Sequence, residues 1–104
     1  MKESDWKVFR KLRELALERY CERVLEEVRR KIEKRDSNYH ERYLKLWALL
    51  RKRDKTIAYA FNNPRRSQAF FQLSNIVAEN LLTDIELSQF TEETREAVNL
   101  ILRR

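Results

Sequence analysis

The chain of 104 residues is 42% hydrophobic and 38% charged, carries a net charge of +6, and contains no glycine and one proline. That balance is too apolar for a disordered tail and too charged for a membrane-embedded protein. Without glycine, the Gly-rich loops that cradle nucleotide phosphates cannot be written.

The length suits one domain over residues 1–104. No apolar run approaches the ~18 residues of a membrane span. The opening Met1-Lys2-Glu3-Ser4-Asp5 is charged and lacks an apolar signal region. A lone cysteine, Cys21, cannot form an internal disulfide. These features together predict a cytoplasmic setting. The charge is uneven: residues 1–36 hold 12 basic and 9 acidic groups, residues 37–66 hold 8 and 2, and residues 67–104 hold 3 and 6. The basic excess therefore sits mid-chain, at net +6, ahead of a C-terminal third at net −3.

Ser4 is the predicted N-cap of a first helix, with Asp5 in its first turn complementing the macrodipole. Nothing breaks that helix before Arg35, a length of roughly 46 Å at ~1.5 Å per residue. Its apolar residues change face. Phe9, Leu12 and Ala16 share one stripe, and Leu17, Cys21, Val24, Val28 and Ile32 share another, so the helix either bends or packs on two neighbours. Asp36-Ser37-Asn38 is a turn, and Asn38 with Glu41 reads as a capping box for helix 2 over Tyr39–Phe61. Tyr43, Trp47, Leu50, Ile57 and Phe61 are its predicted inner face. The short loop implies an antiparallel hairpin.

Asn62-Asn63-Pro64 ends helix 2, because proline excludes the α conformation from the residue before it. Helix 3 is predicted from Pro64 to Leu82. It is apolar on two sides, with Phe71, Ala78 and Leu82 opposite the stripe of Ala69, Phe70, Leu73, Ile76, Val77 and Leu81. Thr83 and Glu86 form a second capping box, with Leu82 and Leu87 at the staple positions. Thr91 caps a final helix to about Leu102. The predicted fold is all-α: a four-helix domain in which helices 1 and 2 form a long hairpin and two further helices pack on it.

Catalytic and metal-binding signatures are missing. His40 and Cys21 lie on separate helices, and zinc needs three or four ligands at matched spacing. Cys21 falls on an apolar stripe, where a structural thiol is the ordinary reading. Glu14, Glu18, Glu22 and Glu26 recur every four residues, but no Glu-x-x-His accompanies them, so they read as a solvated face rather than a di-iron site. No cofactor, metal or small-molecule substrate is expected.

Two features point to partners. Asp54 interrupts the apolar stripe of helix 2 and is expected to be a buried charge, paired with Arg65 or Arg66, or serving as a register device in an interface or as a ligand contact. Arg42, Lys45, Arg51, Lys52, Arg53, Lys55, Arg65 and Arg66 make a basic surface for a polyanion or an acidic partner. The expected function is a non-enzymatic interaction or regulatory module with a protein partner, most simply a homodimer through Phe71 and Leu82. The alternative is sequence-nonspecific nucleic-acid binding through residues 42–66; no membrane association is expected.

Overall fold

Ten consecutive residues with no charge organise the molecule. A computed structural model describes residues 1–103. Among them the chain forms five α-helices and no strand: α1 (Glu3–Glu33), α2 (Tyr39–Phe61), α3 (Ala69–Ala78), α4 (Asp84–Leu87) and α5 (Glu92–Leu102). A 3-10 turn at Arg66–Gln68 leads into α3. The uncharged α3 buries Ala69, Gln72, Leu73, Ser74, Ile76 and Val77 and packs against α1, α2 and α5. The four-helix plan therefore stands, with α4 added as a single turn.

α1 is one unbroken helix. Asp5, Phe9, Leu12, Ala16, Tyr20 and Val24 are buried at steps of three and four, which places them on one face. Beyond Val24 no residue of α1 is buried. α2 runs back beside α1, contributes only Ala60 and Phe61 to the buried core, and sets Phe61 against Tyr20 with ring centres 6.3 Å apart. The core thus occupies one end of a molecule 52 Å long and about 25 Å across.

The caps follow local chemistry. The Asn38 side chain accepts from the Glu41 amide at 2.8 Å. Thr83 accepts from the Glu86 amide at 3.1 Å while the Glu86 carboxylate accepts from the Thr83 amide at 2.8 Å, which completes the capping box. Lys2, not Ser4, is the N-cap of α1, and it makes no side-chain cap bond. α3 starts later and ends earlier than predicted. Arg65 is extended after Pro64, and α3 closes in a Schellman motif: Asn80 at φ 56° donates to Val77 O at 2.9 Å, and Leu81 donates to Ile76 O at 3.4 Å. With no glycine available, the left-handed positions fall to Asn63, Asn80 and Arg103. Asparagine tolerates that conformation better than other residues with a Cβ.

Arginines staple the helices together. Arg13 donates to Phe61 O, closing the end of α2. Arg19 donates to Leu81 O at 2.8 Å and holds Glu86 in a bidentate pair at 2.7 and 2.9 Å. Arg53 holds Glu27 bidentately at 2.8 Å across the hairpin.

The buried carboxylate of this fold is Asp5, 1% exposed. It accepts from the Thr91 amide at 3.0 Å, from Thr91 Oγ1 at 2.6 Å and from Thr94 Oγ1 at 2.5 Å. Helix 1 thereby binds the first turn of α5, 86 residues away in sequence. Burial pushes the Asp5 carboxyl up, but the hydrogen bonds from Thr91 and Thr94 outweigh it and hold the group below its ordinary value. Arg19 and Thr83 hold Glu86 at about 2.

Both carboxylates favour the folded chain when ionised. Their contribution is complete above the ordinary values of 3.8 and 4.5 and is lost as the pH falls through the depressed values of the folded state. Thermal unfolding followed by circular dichroism is therefore expected to weaken progressively from pH 4.5 downward. An Asp5→Asn/Glu86→Gln double variant, less stable at neutral pH, is expected to lose less between pH 5 and 2. Asp5→Ala is expected to cost about 3 kcal/mol in chemical denaturation, since it strands the Thr91 amide and two hydroxyls. A cost below 1 kcal/mol would show that the clamp is dispensable.

Candidate functional site

Three surfaces deserve comparison, and the first is set by how α2 rotates on α1. The side of α2 against α1 carries Arg42, Leu46, Leu49, Arg53, Thr56 and Ala60, all half-buried or buried. That is roughly a quarter-turn from the predicted inner face. Tyr43 and Trp47 consequently stand 64% and 53% exposed, and Leu50 is exposed beside them. Only Ile57 and Phe61, at the core end, turn inward.

Asp54 shares that rotation. It is exposed and has no ion pair among the described residues, so the buried charge expected there is corrected. Arg66, one of its expected partners, donates instead to Glu3 at 2.7 Å and to Met1 O at 2.8 Å. The physical reason is the rotation of α2: Leu46, Leu49 and Ala60 pack inward together with Arg53, which pairs with Glu27, and Asp54, one position on from Arg53, is carried outward with the aromatic stripe. Asp54 lines an open depression of about 310 Å³ with Val24, Trp47, Leu50, Arg53 and Ile57.

From Leu25 to Tyr59 the chain contains no buried residue. This stretch is the outer part of the hairpin, a two-helix arm projecting from the core. Leu25, at 68% exposure, and Ile32 of α1 lie exposed on it, and their helical phase puts them on the flank that carries Tyr43 and Leu50.

The second surface is the basic one, and the structure divides it. Arg42 donates to Ile32 O at 2.6 Å and lies over the Tyr39 ring. Lys45 pairs with Asp36 at 3.9 Å, Arg53 with Glu27 and Arg66 with Glu3. Arg51, Lys52, Lys55 and Arg65 are exposed and have no acidic partner among the described residues. Half of the predicted cluster is therefore engaged internally and half is free.

The third surface was not legible as a site in the sequence. Where α2 ends and α3 begins, Tyr59, Asn62, Arg65, Phe71, Gln72 and their neighbours line an open cleft of about 630 Å³. Phe71, expected at a dimer contact, belongs to this cleft. Leu82, expected beside it, is half-buried against the core. The Asn62-Asn63-Pro64 run reads as punctuation in sequence, and only the fold turns its amides toward α3.

Elsewhere, Cys21 is half-buried on α1 and His40 is exposed in the first turn of α2. Among the described residues no three His, Cys, Asp or Glu side chains gather as a metal site would require, and no helix is long and apolar enough to cross a membrane. Comparison with known protein families, with curated proteins and with solved structures finds no match to this chain.

Proposed function

We propose that the protein is a non-enzymatic helical interaction module that pairs with a second copy of itself through the open flank of its arm. A cytoplasmic setting, where Cys21 stays reduced, suits this reading. The observation that carries it is the arm without a core. Two helices that leave no residue fully buried between Leu25 and Tyr59 gain little from packing, and isolated helices are marginal in water.

The pattern on the flank names the occupant. Tyr43, Trp47, Leu50 and Asp54 follow at alternating steps of four and three, the spacing of a coiled-coil seam, before Ile57 and Phe61 carry the same rhythm into the core. On α1, Cys21, Leu25, Val28 and Ile32 repeat it. Two neighbouring seams on one hairpin fit a second hairpin, giving a four-helix arrangement across a two-fold axis. The flank also carries both signs of charge that self-pairing needs. Glu14, Glu18 and Glu22 lack ion pairs among the described residues, and so does Arg51. Asp54 is then the polar residue of the α2 seam, of the kind that fixes register at a cost in affinity.

Sedimentation or light scattering at micromolar to high-micromolar protein is expected to show a dimer, and Trp47→Glu with Leu50→Glu to give a folded monomer. A wild type that stays monomeric throughout would refute self-pairing. Asp54→Leu is expected to tighten association, while Asp54→Ala shifts the stability of the single chain by no more than about 0.5 kcal/mol, as for other exposed positions.

A second reading has its own observation. Arg51, Lys52, Lys55 and Arg65 have no acidic partner among the described residues, so they are free to hold a polyanion. Retention on heparin or nucleic acid is expected to fall steeply with salt, with a log–log slope of about −0.9 per phosphate contact on duplex DNA. Reversing Arg51, Lys55 and Arg65 together is expected to flatten that slope by about one unit per lost contact.

A further inference from the structure

We propose that the cleft between α2 and α3 holds an unstacked base of a single-stranded nucleic acid, with Tyr59 and Phe71 as its stacking surfaces. The proposal rests on the polyanion reading for its phosphate contacts and adds a site that recognises the base itself.

The first observation is the pair of aromatic rings. Tyr59 is 74% and Phe71 57% exposed, yet both line one cleft of about 630 Å³ at the edge of a well-packed core. An aromatic face left in water offers a platform for any base, because every base presents a π-face.

The second is the chemistry of the walls. Asn62, Asn63, Gln72 and Asn75 supply amide donors and acceptors, the groups that match the edge of a base. Gln72 is 6% exposed; its amide nitrogen donates to Asn62 O at 2.9 Å, and its Oε1 has no donor. A buried acceptor without a partner is unfavourable, which marks the wall beside Gln72 as polar and incompletely satisfied.

The third is the approach to the cleft. Arg65 is part of its rim. Arg51, Lys55 and Tyr59 succeed one another at steps of four along α2, so the free cations form a row that ends at the Tyr59 ring. Lys55 lines an adjoining depression that shares Tyr59 and Asn75 with the cleft. The one carboxylate there, Glu79, is drawn to Arg23 at 3.5 Å. A backbone following the row delivers a base to the cleft that the two rings line. A duplex keeps its base faces stacked and cannot use them.

The experiment is fluorescence anisotropy of the full chain with a labelled 12-nucleotide single strand of mixed sequence, as RNA and as DNA. The same length of duplex, heparin and a poly-glutamate peptide compete. The single strand is expected to bind at least about tenfold more tightly than the duplex, and Tyr59→Ala or Phe71→Ala to weaken it by about tenfold or more. Tyr59→Trp is expected to restore it. Both positions are exposed, and unchanged helical circular dichroism confirms that the variants fold. If duplex and heparin bind as well as the single strand and neither alanine variant matters, the base site is refuted while the polyanion reading stands. If none of these ligands binds at about 50 mM salt, both fall. If poly-glutamate displaces the strand and its own binding depends on Tyr59, the cleft is a peptide site and the proposal is overturned.

Discussion

The uncharged helix α3 is the constraint on which the rest of the structure depends. Its ten residues touch α1, α2 and α5, and its side chains Leu73, Ile76 and Val77 sit at the middle of the core. Burying them draws every other element toward one end of the molecule. A chain of this size has apolar surface enough for one such centre. The outer half of the hairpin is left without one, and that shortage, rather than any catalytic constellation, gives the protein its candidate surfaces.

Charge does structural work at the same centre. Asp5 stands where α5 begins and accepts three hydrogen bonds, so a buried carboxylate substitutes for part of the apolar packing between the two ends of the chain. A charge placed there is favourable because all its partners are donors and the helix N-terminus adds a positive field. Arg13 and Arg19 reach the Phe61 and Leu81 carbonyls, which the ends of α2 and α3 would otherwise leave open, and Arg53 ties the two long helices together through Glu27. Much of the basic excess that first suggests a ligand is thus consumed inside the fold. What remains free is a smaller set on one row of α2 and at the start of the 3-10 turn, and it converges on a cleft with exposed rings.

Legibility tracked the range of the interactions. The capping box of Thr83 and Glu86, the Asn38 cap and the break at Asn62-Asn63-Pro64 are made within four residues, and each was readable from sequence. The N-cap lies at Lys2 rather than Ser4, and helix 3 stops short of Leu82, because Asn80 takes the left-handed conformation that closes α3. By its position in sequence Asp5 is a macrodipole partner of its own helix. Its true partners are 86 and 89 residues away, which no local spacing reveals.

The all-α class, the long hairpin and the segregation of charge were determined by the sequence itself, because helix propensity, caps and the absence of glycine act locally. Which flank of α2 faces α1 was decided only by tertiary structure. An aromatic stripe and a mixed stripe lie roughly a quarter-turn apart on that helix, and hydrophobicity alone favours the aromatic one. The packing of α3 on the core end of α2, where Ala60 and Phe61 are buried, goes with the mixed stripe turned inward, and the bidentate pair between Arg53 and Glu27 is made on that inward side. Tyr43, Trp47 and Asp54 were left facing water for that reason, and so was the row that carries Lys55 to Tyr59.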